Sequence, residues 1–127
     1  MRRVRVAAFT LIELIVVLAI IALLVAVAVP RYFNNVERAK EAALKQNLSV
    51  MRDALDKYYG DLGVYPIALD ELVSKRYLRK LPEDPLTQSS ATWITVKPPG
   101  EGNRTGVYDV KSGAAGNSLD GVPFADW

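Results

Sequence analysis

An unbroken apolar run near the N-terminus, FTLIELIVVLAIIALLVAVAV, constrains this chain more than any other feature. It extends from Phe9 to Val29, and its only polar side chains are those of Thr10 and Glu13. A helix rises about 1.5 Å per residue, so about 20 apolar residues cross a bilayer core of roughly 30 Å. The run therefore predicts a membrane-inserted helix.

Glu13 is the one carboxylate in this run. A charged side chain in hydrocarbon costs a few kcal/mol even on the most lenient insertion scale. Because Glu13 lies near one end of the run, two interpretations are open. The acid is solvated by lipid headgroups, or it pairs with a cation of its own complex or of a neighbouring subunit.

The sequence AAFTLIE before the apolar residues resembles the class III signal of type IV pilins and of the pseudopilins of type II secretion. The resemblance implies that a prepilin peptidase cuts between Ala8 and Phe9 and N-methylates Phe9. It further implies that Glu13 pairs with the N-terminal amine of an adjacent subunit, and that Pro30 is a helix-bending proline. Where the family usually has glycine before the cut, this chain has Ala8.

The net positive charge of the chain comes from the predicted leader, residues 1–8. The whole chain has 16 Lys and Arg against 14 Asp and Glu. Without the leader arginines Arg2, Arg3 and Arg5, 13 basic residues remain against 14 acidic ones, so nothing indicates nucleic-acid binding. These arginines also predict a cytoplasmic N-terminus. The alternative interpretation of the leader and the apolar run is an ordinary secretory signal that is cleaved after Ala28.

Cysteine and histidine are both absent from the sequence. Their absence excludes a disulfide framework, a thiol nucleophile, a cysteine-based zinc site and the commonest general base. No phosphate-binding glycine loop is present either. We therefore predict that the chain is not an enzyme. Many type IV pilins have a disulfide in their C-terminal region, so the lack of cysteine favours the pseudopilin branch.

Residues 30–59 predict an amphipathic second half of the same helix, because their apolar residues recur mostly at steps of three and four. Gly60 is the predicted stop. We expect the residues after this helix to pack on its apolar stripe, chiefly along the segment from Val50 to Tyr59. Pro30 removes one backbone donor and is expected to bend the helix or loosen a turn.

The remaining residues, 60–127, predict a small head. A loop, GDLGVYP, precedes a short helix in ALDELVSK, and the proline-bounded turn KLPEDP carries Glu83 and Asp84, which we expect to be solvated. Alternating β-branched segments at 92–97 and 105–111 predict an antiparallel hairpin with a loop of about seven residues. Its candidates for packing on the long helix are Trp93, Ile94, Val96, Val107, Tyr108 and Val110. The predicted fold is α+β and pilin-like, with the long helix packed on a small antiparallel sheet.

The order of YYGDLGVYP, ALDELV and LPEDP is similar to that of the major pseudopilin of type II secretion, although Leu86-Thr87 replaces the usual Trp-Gly. In that family a loop resembling LDGVP holds calcium. The resemblance implies a calcium site at Asp120, with Asp126 and Asp109 as further candidate ligands. An Asp-Gly turn without a metal is the alternative for the same residues.

With this resemblance, the sequence predicts a structural subunit of a periplasmic pseudopilus filament that drives type II secretion. Its expected partners are copies of itself, other pseudopilins, the prepilin peptidase and an inner-membrane assembly platform. A type IV pilin or competence-type pseudopilin, used in adhesion, motility or DNA uptake, is one alternative. The other is a single-pass membrane-anchored binding domain that does not polymerise.

Overall fold

The computed structural model describes residues 7–102 and 104–127. Its elements are helix α1 (Leu11–Leu62), helix α2 (Asp70–Ser74), strands β1 (Ile94–Val96) and β2 (Asp109–Lys111), and a 3-10 turn (Phe124–Asp126). This content confirms the predicted α+β class. The chain divides into a first unit that ends at Val36 and a second unit from Glu37 to Trp127.

In the first unit, α1 leaves its apolar side chains exposed. Every residue from Leu11 to Val29 is exposed, although the sequence there is almost entirely apolar. The helix is long and apolar enough to cross a membrane, with a mean hydropathy of 3.2 in its most apolar window. Pro30 lies inside α1.

In the second unit, one face of α1 is buried, which confirms the predicted amphipathic pattern. The buried residues follow at steps of one to four: Leu44, Leu48, Met51, Ala54, Leu55 and Tyr58. The prediction that the head packs chiefly on the segment from Val50 to Tyr59 is only partly right. Val50 and Tyr59 are 40% and 46% exposed, and the buried face begins earlier, at Leu44.

The predicted helix stop at Gly60 is wrong. Helix α1 continues through Gly60 to Leu62. Gly63 has a φ of 69°, and its N–H donates to the carbonyl oxygen of Tyr59 at 2.7 Å. A residue in the left-handed region at this point is a common way to end a helix, and glycine adopts it without steric cost.

Two short strands in the described residues form the predicted antiparallel hairpin, with Thr95 opposite Val110. Each strand has three residues, so the connection is longer than predicted. One physical reason is that the N–H of Val107 donates to the carbonyl oxygen of Pro66, at 2.7 Å, instead of to β1. This bond ties the connection to the loop after α1.

The hairpin contributes fewer side chains to the core than predicted. Trp93, Val107 and Val110 are buried and join a cluster with the apolar face of α1, with Leu69 and Leu72 around α2, and with Phe124. Two of the remaining packing candidates were predicted wrongly, because Ile94 is 52% exposed and Tyr108 is 43% exposed. Ile94 is exposed because the buried Val110 lies opposite Thr95, and neighbouring residues of a strand face opposite sides of the sheet. Tyr108 precedes β2, and its ring contacts the ring of Tyr65 instead of the core cluster.

Asp84 is buried, whereas the sequence suggested a solvated carboxylate. Its Oδ1 accepts from the backbone N–H of Leu86 at 2.9 Å, and its Oδ2 accepts from the hydroxyl of Ser112. Its own N–H and carbonyl bond to Ser89 and Gln88. A buried carboxylate needs such partners to offset its lost hydration. Asp84 therefore joins the proline-bounded turn to the residues just after β2.

Candidate functional site

The predicted processing point lies in an exposed, non-helical segment. Residues 7–10 precede α1 and have no regular secondary structure, and both Ala8 and Phe9 are exposed. A peptide bond in such a segment is accessible to a peptidase without unfolding of a helix. The first six leader residues, including the three arginines, lie outside the described residues. Cleavage between Ala8 and Phe9 stays a prediction.

Thr10 and Glu13 form a reciprocal pair of hydrogen bonds at the start of α1. The N–H of Thr10 donates to Oε2 of Glu13, and the N–H of Glu13 donates to the hydroxyl oxygen of Thr10, both at 3.2 Å. This is a capping box, which satisfies two backbone donors that a helix start leaves unpaired. The signal is readable in the sequence as T-x-x-E before an apolar run, but the sequence analysis missed it.

An open groove of about 340 Å³ lies beside this capping box. Its lining is apolar except for Glu13, and the other residues are Phe9, Ile12, Val16 and Val17. The capping bond uses only one of the two carboxylate oxygens of Glu13. An ionised carboxylate accepts several hydrogen bonds, so the group can take up a cationic donor in addition to, or in place of, its cap.

Pro30 is the remaining assembly candidate from the sequence. It lies within α1, where its ring nitrogen cannot donate a backbone hydrogen bond. The structure does not bring Pro30 together with Glu13, because 17 residues of the same helix separate them. The role of Pro30 in bending the helix stays a prediction.

Comparison with known proteins identifies the family. Residues 3–29 match the prokaryotic N-terminal methylation motif. A type II secretion system core protein G of Klebsiella michiganensis is 31% identical over 142 aligned positions, which cover 99% of this chain and 92% of the relative. The chain belongs to the type II secretion system core protein G family. The core protein G of Pseudomonas aeruginosa is 35% identical over 101 positions, covering 67% of this chain and 71% of that protein.

A fimbrial protein of Eikenella corrodens, EcpC, is also similar, but over a shorter stretch. It is 41% identical over 58 positions, which cover 46% of this chain and 38% of that protein. No solved structure matches. The two core G proteins are thus matched over most of their length, whereas EcpC is matched over 38% of its own.

In this member of the core protein G family, residues 112–127 contain two carboxylate side chains that could bind a calcium ion. Asp120 and Asp126 are both exposed. The described residues contain no group of three or more acidic, histidine or cysteine side chains placed to hold a metal. Calcium requires six to eight oxygen ligands, several of them usually carboxylates. The carboxylates of the described residues therefore do not supply such a ligand set by themselves.

The third candidate ligand, Asp109, has a different partner. Its Oδ1 accepts from Nε of Arg52 at 2.8 Å and from the backbone N–H of Val110 at 2.8 Å. Arg52 was not predicted as a functional residue, because charged side chains occupy most positions outside the apolar stripe of this helix. Its position one residue after the buried Met51 was the available signal that it lies at the edge of the packed face.

Proposed function

We propose that this chain is a structural subunit of a pseudopilus filament that serves type II secretion. Membership of the core protein G family supports this function. The observation that carries it is the exposed apolar part of α1, from Leu11 to Val29, with a single acid near its start. Large exposed apolar surfaces mark contacts with a membrane or with other protein chains, and a subunit that moves from membrane to filament needs both.

The apolar part of α1 keeps the unassembled subunit in the inner membrane as a single-pass protein. The head then lies in the periplasm and the N-terminus on the cytoplasmic side, as the leader arginines predict. Prepilin peptidase removes residues 1–8 and methylates the new amine of Phe9. The accessible segment at Ala8 and Phe9 supports this step.

Assembly transfers the helix from lipid into a bundle of identical helices. The apolar surface is shielded in both states, so hydrophobic burial changes little. The gain is electrostatic, because the carboxylate of Glu13 meets the Phe9 amine of a neighbouring copy in the groove beside the capping box. That pair offsets the poor solvation of the acid and fixes the axial register of the subunits. An ATPase outside this chain supplies the work of extraction.

Deletion of the gene in its own bacterium tests the proposal. We expect enzymes that are normally released into the medium to accumulate in the periplasm, while surface motility and DNA uptake continue. The measurement is the activity of secreted enzymes in medium and periplasm, and the control is the deletion strain that carries the intact gene on a plasmid. Normal secretion with lost motility or DNA uptake would instead identify a type IV pilin or competence-type subunit.

A further inference from the structure

The C-terminal residues of the second unit are held against α1 by one cationic side chain, Arg52. Its Nε donates to Oδ1 of Asp109 at 2.8 Å, and its Nη2 donates to the backbone oxygens of Val110 and Trp127 at 3.0 and 2.8 Å. Asp109 and Val110 belong to β2, whereas Trp127 follows the 3-10 turn. One guanidinium therefore joins three chain segments.

This arrangement resembles in its effect what a bound metal ion does. A cation binds the carboxylate of Asp109 and two backbone oxygens, and these groups come from segments that are distant in sequence. The guanidinium of arginine has five N–H donors in a fixed plane and stays charged at any physiological pH, so it suits this task. One of the three candidate calcium ligands, Asp109, is thus paired with a guanidinium, whose positive charge opposes a divalent cation at that carboxylate.

Two further side chains of α1 contact the same C-terminal segment. Oε1 of Glu41 accepts from the backbone N–H of Leu119 at 2.6 Å, next to the Asp-Gly turn at Asp120. Nζ of Lys45 lies 4.8 Å from the centre of the Trp127 ring, within the range of a cation–π contact. The turn is also closed internally, since the N–H of Gly121 donates to the carbonyl oxygen of Ser118.

We propose that Arg52 is the cation that closes the C-terminal segment, and that the second unit folds and stays folded without a bound divalent cation. The proposal concerns the unassembled subunit, so it does not depend on filament formation. It assigns to a side chain of α1 the role that the family resemblance gives to calcium.

The first test is the thermal unfolding of the full chain in detergent. The two tryptophans of the chain, Trp93 and Trp127, both belong to the second unit, so their fluorescence reports its unfolding and not that of the apolar part of α1. We expect the same melting midpoint with excess EGTA and with millimolar calcium. A midpoint that falls in EGTA or rises in calcium overturns the proposal, whatever the variants do.

The second test compares variants of α1 by the same measurement. Arg52→Ala is expected to lower the midpoint by about 5 °C or more, since a loss of 1 kcal/mol moves a small domain by about 4–8 °C. Arg52→Lys keeps the charge but not the planar fork, and is expected to recover less than half of that loss. Arg38→Ala, at an exposed position of the same helix, is the control and is expected to melt like the unaltered chain. Equal midpoints for Arg52→Ala and Arg38→Ala contradict the proposal.

Discussion

Glu13→Gln is expected to reduce filament assembly strongly while the chain still inserts into the membrane. The amide cannot form the charged pair with the amine of a neighbouring Phe9, and a hydrogen bond to a charged group contributes about 1.5–3 kcal/mol. Each 1.4 kcal/mol is about tenfold in an equilibrium constant, so we expect at least about tenfold fewer filaments. Electron microscopy of sheared filaments measures assembly, and immunoblotting of the membrane fraction measures insertion.

Glutamine makes this variant selective, because it can still act in a capping box with Thr10. A defect in Glu13→Gln therefore reports the charge and not the helix cap. Glu13→Ala removes both, and we expect it to be at least as defective in assembly and equally well inserted. Normal filaments from Glu13→Gln would show that the carboxylate serves only as a cap.

Gly113→Ala is expected to unfold much of the second unit. A Cβ atom at this position would lie 2.0 Å from the backbone carbonyl oxygen of Thr92, which is too close for any real contact. The segment after β2 or the one before β1 must move. Overpacking typically costs about 1–3 kcal/mol, and we expect a clash with backbone atoms to lie at the upper end, about 3 kcal/mol. Tryptophan fluorescence of the full chain in detergent should show a midpoint lowered by about 12 °C or more.

Gly60→Ala is the matched control for this substitution. Gly60 lies inside α1, and a Cβ placed there has no atom within 4 Å apart from those of the adjacent residues and the local helix backbone. Alanine is favoured over glycine in a helix by about 0.5–1 kcal/mol, so the midpoint should rise or stay unchanged. If Gly113→Ala melts like Gly60→Ala, the close packing of Gly113 on Thr92 is wrong.

The long helix and its two faces could be predicted from the sequence because each has a strong local signal. The apolar run from Phe9 to Val29 exceeds what a soluble core helix needs, and the steps from Leu44 to Tyr58 follow the helical period. The position of the helix end could not be predicted as well. Gly60 and Gly63 are equivalent as local signals, and only the backbone conformation of Gly63 distinguishes them.

The polar contacts of the second unit were the least predictable part. Asp84 lies among prolines, which typically indicates a solvated turn, yet its partner Ser112 is 28 residues away. Arg52 and Trp127 are 75 residues apart. Such pairs arise from the tertiary fold, and a single sequence contains no local pattern that identifies them. Tyr77 and Asp61 form another such pair, 16 residues apart. The hydroxyl of Tyr77 donates to Oδ2 of Asp61, and this hydrogen bond raises the pKa of the phenol.

The intact mass of the chain, purified from membranes of its own bacterium, tests the central claim most directly. Processing as a pseudopilin predicts the mass of residues 9–127 plus one methyl group, with the methyl on Phe9. The mass of the complete chain with Met1, or of a chain that begins after Ala28, would contradict the account.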